Sequence, residues 1–405
     1  MSAFAGHEPG SRDYRRLLVG LFFAGIATFA QLYAPQAVLP LIAADLGVPP
    51  ATSALTVSAS TLGLAAAVIP WSGVADRVGR VPAMGVGVVA ATLLGGWAAV
   101  ATDATMLLAL RFAEGVALGA VPAVALAYLS EEVHARHVAA AAGSYIAGTT
   151  VGGLSGRIIA GPVGELVGWR WGVVSAVLLC AGAAALFLVL VPRARGFVAG
   201  RSRERGDRGP SLVARLWMNL RTPAQLVLYA QGFLLMGAFV AVYNYLGFHL
   251  AEPPFSLSPV VVTLLFLAYL AGTVSSPRAG ALAVRHGRFI VLVASIGVAA
   301  AGVLLMAVPV LPVVVVGLVV FTAGFFGAHA VASGWTPVAS RLEARAQASS
   351  LYYLGYYGGS SVFGWLLGVI FGEAGWNVFL AVVLGMCLVS LALAVAVLRP
   401  ARPSV

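Results

Sequence analysis

The sequence predicts an all-α membrane protein, twelve transmembrane helices in two pseudo-symmetric six-helix bundles. Three observations carry that prediction. Of the 405 residues, 60% are hydrophobic and 9% charged, against roughly 45–50% and 25% for a soluble domain. The chain breaks into long charge-free runs of helix-crossing length. A charged motif, "WSGVADRVGR" at 71–80, returns as "AGALAVRHGR" at 279–288. Arg77, Gly79 and Arg80 align with Arg285, Gly287 and Arg288 at one constant offset of 208 residues, about half the chain.

The crossings follow in order. The runs 17–44, 46–75 and 81–102 come first, then 105–129, interrupted only by Arg111 and Glu114, then 138–156 and 171–192. In the second half 222–251 and 253–277 precede 289–340, which holds two crossings broken near Pro309 and Pro312, and 346–372 and 374–398 close the series. Each reaches the roughly 17–25 residues that cross a hydrocarbon core as helix. A closed barrel, the other architecture that satisfies every backbone group in lipid, needs alternating strands of about ten residues instead.

All 24 basic residues are Arg. With both termini cytoplasmic, 21 of the 24 fall on the cytoplasmic side, eight of them between 193 and 221, which is the bias that sets topology. The exceptions are Arg111, Arg157 and Arg170. The formal net charge of +10 therefore reads as a topology signal, and no nucleic-acid partner is expected. The apolar run behind Arg12, Arg15 and Arg16 continues to Asp45 with no small-residue cleavage site, so a cleaved leader is not expected. Cys180 and Cys387 fall inside predicted helices as packing residues.

Residues 193–221 form a basic linker between an N-terminal bundle, 1–192, and a C-terminal one, 222–405, with an interfacial helix from Ser211 to Leu220 as one expectation. The repeat extends further: "GTTVGG" at 148–153 is echoed by "GYYGGS" at 355–360, and "GELVGW" at 164–169 by "GEAGW" at 372–376. Two parallel six-helix halves suit alternating access, one half rocking against the other.

The loop motif, met as Ala75, Asp76, Arg77, Gly79 and Arg80, is similar to the G-x-L-A-D-R-x-G-R-[RK] pattern of the major facilitator superfamily. Ser72 and Val81 depart from it, and in the second copy Val284 replaces the acid. Arg111, Glu114 and Gly115 resemble the fourth-helix R-x-x-q-G pattern, and Gly148, Thr149, Gly152 and Gly153 partly match the G-P-x-x-G-G pattern of antiporters. The chain thus resembles the twelve-helix drug:proton antiporter and sugar-efflux-like branch. The resemblance implies gating by Asp76, Arg77, Gly79, Arg80, Arg285 and Arg288 at the cytoplasmic face.

Glu114 is an acid placed well inside a helix, where an unpaired charge costs several kcal/mol. It is the expected proton carrier, with Arg111 three residues earlier on the same face, or else a permanent pair that only holds the helix. Arg157 is an alternative partner for Glu114, a contact for an anionic group, or a snorkelling side chain. The resemblance implies a central cavity lined by helices 1, 4, 7 and 10 with parts of 5 and 11, which places Gln31, Tyr33, Gln36, Tyr243, Asn244, His329, Tyr356 and Tyr357 as substrate contacts. Aromatic walls with a few polar tips suit an amphipathic organic molecule.

No phosphate-binding G-x-x-x-x-G-K-[ST] loop exists, since the chain has no Lys. The expectation is a secondary active exporter of small organic molecules in the cytoplasmic membrane, not an enzyme. It uses protons, needs no cofactor or metal, and works as a monomer. An uncoupled facilitator or importer of the same fold, or a lipid flippase, is the alternative.

Overall fold

The computed structural model describes residues 6–196 and 211–399; the middle of the expected linker, 197–210, lies outside them. The first crossing, α1 (Arg12–Leu46), runs as α-helix to Tyr33, tightens to a 3-10 turn over Ala34–Val38, and resumes at Leu39. Pro35 and Pro40 frame that turn, because proline has no amide to continue the helical ladder. Then come α2 (Pro50–Val78), α3 (Arg80–Ala98), α4 (Ala104–Glu132), α5 (Val138–Val167) and α6 (Trp169–Leu190). A short linker helix, Leu212–Leu220, is capped by Ser211, whose Oγ accepts from the Ala214 amide. The second set is α7 (Pro223–Ala251), α8 (Pro259–His286), α9 (Arg288–Met306), α10 (Leu311–Val338), and α11 and α12 within Arg345–Val397. Gly375, at φ 76° and ψ −177°, separates these last two.

The described residues pack as two compact units. Unit 1 comprises Met1–Val48, Leu55–Asp207 and Pro259–Leu264; unit 2 comprises Pro49–Ala54, Arg208–Ser258 and Leu265–Val405. Each therefore takes in a short piece from the other half of the sequence. In unit 1 the Val260 amide donates to Glu165 Oε2 at 2.5 Å.

The internal repeat is visible in the backbone. Gly79 and Gly287 open α3 and α9 with φ of 100° and 88°, and Gly168 and Gly375 open α6 and α12 with φ of 95° and 76°. Side-chain-bearing residues rarely adopt this region, so the duplicated motifs keep their glycines for the same turn into the next helix.

Packing of the first helix of each half against the fifth follows one register. Gly148, Gly152 and Gly156 of α5 lie directly on the α1 backbone at Phe22, Ile26 and Ala30. In unit 2, Gly355 and Gly359 of α11 lie on α7 at Tyr229 and Phe233, and Phe363 covers Gly237. Small residues permit such backbone-to-backbone approach where lipid supplies no hydrophobic drive for helices to associate.

Candidate functional site

Arg111 and Glu114 are three apart on α4, so they project from one face. Both are inside unit 1, 1% and 0% exposed. They form an ion pair through Arg111 Nη1 and Glu114 Oε2. The rest of the guanidinium is spent on backbone: Nε donates to Thr56 O at 3.0 Å, Nη2 to Leu32 O at 2.9 Å, and both terminal nitrogens to Gln31 O at 3.4 Å. Arg111 therefore ties α4 to α1 and α2. Ser60 Oγ on α2 adds a bond to Arg111 O at 2.7 Å, and Gly115 lies on the Ser60 backbone.

The second carboxylate oxygen is treated differently. Glu114 Oε1 lies beside the Gln31 side chain, yet receives no hydrogen bond among the described residues. Gln31 Nε2 donates instead to Ala91 O. Gly95 of α3 makes the room, since a Cβ there would overlap the Gln31 amide and stand 3.0 Å from Glu114 Oε1. A buried acceptor left without a donor is costly.

Arg157 of α5 builds a second cluster in the same unit. It is 1% exposed, donates from Nε to Gln36 Oε1 at 2.8 Å and from Nη1 to Gly153 O at 2.6 Å, and sits 4.6 Å from the Tyr33 ring centroid. Gln36 lies in the 3-10 turn of α1 and Tyr33 immediately precedes it. The structure thus brings Arg157, Gln36 and Tyr33 together, and Gln31 with Arg111 and Glu114. The third arginine off the basic side, Arg170, pairs with Asp45 at 2.5 Å, and Asp45 also accepts from Trp169 Nε1 at 2.8 Å.

At the far end of unit 1, Asp76 Oδ1 meets Arg80 Nη1 at 2.6 Å. Arg80 also binds Glu131 at the end of α4, Nη2 to Oε1 at 2.7 Å and Nε to Oε2 at 3.1 Å. Gly79 supplies the turn between them and Arg77 is exposed. Sequence reasoning missed Glu131; the adjacent acids Glu131 and Glu132 at the end of a crossing were its signal. Arg285, Arg288 and Val284 are exposed, and among the described residues these arginines form no ion pair, as the missing acid suggests.

In unit 2, Tyr243 hydrogen-bonds Thr322 at 2.7 Å and packs among Phe239, Phe266 and Tyr269. Asn244 beside it is buried. His329 Nδ1 meets Tyr352 Oη at 2.9 Å, a partner missed in the sequence. The His329 ring lies 4.7 Å from Tyr356, and Tyr356 stands edge-on to the buried Tyr357. Half-buried Tyr356 and exposed Tyr353 extend this aromatic wall outward.

Among the described residues ten helices are long and apolar enough to cross a membrane, and ionisable groups buried inside such helices are the construction of a multi-pass membrane transporter. The chain belongs to the Major Facilitator Superfamily, whose model matches residues 21–360. It is 38% identical to the "Inner membrane transport protein YnfM" of Escherichia coli (strain K12) over 371 residues, 91% of this chain and 87% of that one. It is 27% identical to the "Multidrug resistance protein MdtL" of Escherichia coli O157:H7 over 369 residues, covering 90% and 91%. Among solved structures, a bacterial homolog of the human lysosomal transporter Spinster superposes with a TM-score of 0.76 at 14% identity, over 98% of this chain and 100% of that one; that likeness concerns the fold.

Proposed function

We propose that this transporter exports small organic molecules across the cytoplasmic membrane in exchange for protons, as a monomer with both termini cytoplasmic. The observation that carries the reading is Glu114, a fully buried carboxylate with one oxygen on Arg111 and the other without a donor. Burial opposes the charge of such a group and the Arg111 guanidinium supports it. Loss or gain of a proton changes its grip on Arg111, and through Arg111 the hold of α4 on α1 and α2. The likeness to MdtL supports the drug:proton antiporter branch, the likeness to YnfM supports the inner membrane, and the arginine bias supports the orientation.

In unit 2 the His329–Tyr352–Tyr356 wall offers aromatic faces and hydroxyl tips to an amphipathic substrate. Tyr357 stands edge-on to Tyr356, and Tyr243 and Asn244 are further substrate contacts in this reading. In unit 1, Gln36 and Tyr33 hold Arg157, a separate polar cluster suited to an anionic group. Asp76, Arg80 and Glu131 form a latch joining the ends of α2, α3 and α4. Arg80→Glu and Glu131→Arg are each expected to reduce flux, and the double exchange to restore most of it; two additive losses in vesicle assays would refute the latch.

The coupling test uses ethidium as probe in proteoliposomes, together with infrared spectroscopy of purified protein. Wild type is expected to move ethidium when a pH gradient is imposed and to show a carboxyl band that titrates with pH. Glu114→Gln is expected to lose that movement, and the wild-type minus variant difference spectrum to show one titrating carboxyl band. A difference spectrum without such a band would sink the assignment. The uncoupled facilitator is favoured by the several backbone bonds that fix Arg111, and flux indifferent to the gradient in both proteins would establish it.

A further inference from the structure

We infer that His7 and Glu132 form a proton-sensitive clasp that ties the N-terminal segment to the first residues of the linker, on the unit 1 face that carries both. Nothing in it depends on how Glu114 works.

Glu132 ends α4 and is fully buried although it lies next to the solvent-facing loop. Its Oε1 accepts from two consecutive linker amides, Arg195 at 2.7 Å and Gly196 at 2.6 Å. Two amides on one carboxylate oxygen make a small anion site of the linker's own backbone. The Glu132 carbonyl accepts from the His7 amide at 2.7 Å, and the His7 carbonyl accepts from the His134 amide at 3.1 Å. Gly6 permits this bridge: its φ is +93°, and a Cβ there would stand 2.5 Å from His134 N. The segment is therefore held by backbone, and its buried imidazole is delivered to a fixed place.

That place is beside the other carboxylate oxygen. His7 Nε2 lies 3.8 Å from Glu132 Oε2, and Oε2 takes no hydrogen bond among the described residues. The gap is longer than a hydrogen bond and short enough to close once the imidazole carries a proton. Histidine is the side chain that changes charge between about pH 5 and 8. Protonation makes Nε2 a charged donor aimed at Oε2, and charge-assisted bonds are roughly twice as strong as neutral ones. With Oε2 engaged, the carboxylate can no longer swing away from the Arg195 and Gly196 amides. The clasp tightens as pH falls and loosens as it rises.

Other charged and titratable groups lie on the elements around the clasp. On the N-terminal segment they are Glu8, Arg12 and Asp13, and Asp13 stands 4.0 Å from Arg195. At the end of α4, Glu131 is committed to Arg80 and Tyr128 donates to Pro192 O at 2.8 Å. The loop contributes His134, Arg136 and His137, and the linker Arg193 and Arg195. Two of these neighbours, His134 and His137, are also histidines, so the test includes a His134 variant beside those of His7.

Hydrogen–deuterium exchange of the full-length protein in detergent reads the clasp directly at the Arg195 and Gly196 amides. After correction for intrinsic exchange, wild type is expected to protect them about tenfold more at about pH 6 than at about pH 8. His7→Gln is expected to lose that difference, His7→Arg to protect at both pH values, and His134→Gln to behave as wild type. Equal protection in wild type at the two pH values overturns the inference, as does a pH dependence that survives in His7→Gln or disappears only in His134→Gln. The His134 amide, bonded to backbone, reports whether the segment stays docked. Should His7→Gln undock it, His7→Arg decides: pH-independent protection supports the clasp, and a wild-type pH response refutes it.

Discussion

Arg111→Met is expected to destroy the folded protein, while Arg111→Met combined with Glu114→Gln is expected to recover most of its thermal stability. The single substitution leaves Glu114 buried with no cation and removes the Arg111 donors from the carbonyls of Thr56 and Leu32. Breaking one partner of a buried pair typically costs about 3–5 kcal/mol, whereas replacing both with neutral groups is often near neutral. The double variant still lacks the Arg111 bonds to the two carbonyls and is expected to settle a little below wild type. Fluorescence-detected size exclusion after heating measures this in crude membranes. A single variant as stable as the double would mean that the charge of Glu114 is met elsewhere, or that the carboxyl is already neutral in the resting protein. The second outcome would itself bear on coupling, so the same pair of variants should be heated over a pH series. Stability of Arg111→Met that recovers at low pH would identify the unpaired carboxylate as the cause.

The parts of this molecule that were legible in its sequence are those fixed by short-range physics. Crossings announce themselves because lipid rejects charge over a helix-length window, and the duplicated glycines at 79 and 287 because few other residues take a positive φ. The arginines that broke the topological bias were the informative ones. Arg111 and Arg170 each turned out to face a carboxylate, Glu114 and Asp45, and Arg157 to be sequestered with Gln36 and Tyr33. What the sequence withheld depends on contacts between distant segments. Glu131 completes the Arg80 cluster from 51 residues away, and His7 reaches Glu132 across more than a hundred residues. Gln31, one of the expected substrate contacts, gives its backbone carbonyl to Arg111 and its side-chain amide to Ala91. Side-chain type gives no hint that a glutamine's backbone will be the used part.

The glycine stripe yields the second large effect. Gly152→Leu is expected to abolish accumulation of folded protein, and Gly359→Leu to do the same through the other half, while Gly143→Leu leaves it unchanged. A Cβ at Gly152 would meet Ile26 Cα at 2.7 Å, and one at Gly359 would lie 2.6 Å from Phe233 C. Those obstacles are backbone, so no rotamer change relieves them and the helices must separate. Overpacking a core costs typically about 1–3 kcal/mol, and here the separation also opens the contacts at Gly148 and Gly156 along the same register. Gly143 has nothing within 4 Å of its would-be Cβ, and leucine is the better helix former by roughly 0.8–1 kcal/mol, so that control should be neutral or slightly stabilising. Heat-challenged size exclusion on the three variants separates the readings. Equal behaviour of Gly143→Leu and Gly152→Leu would show that α5 tolerates bulk on either face. A loss confined to Gly152→Leu and Gly359→Leu would show that close approach of the first and fifth helices of each half is what the repeated glycines are for.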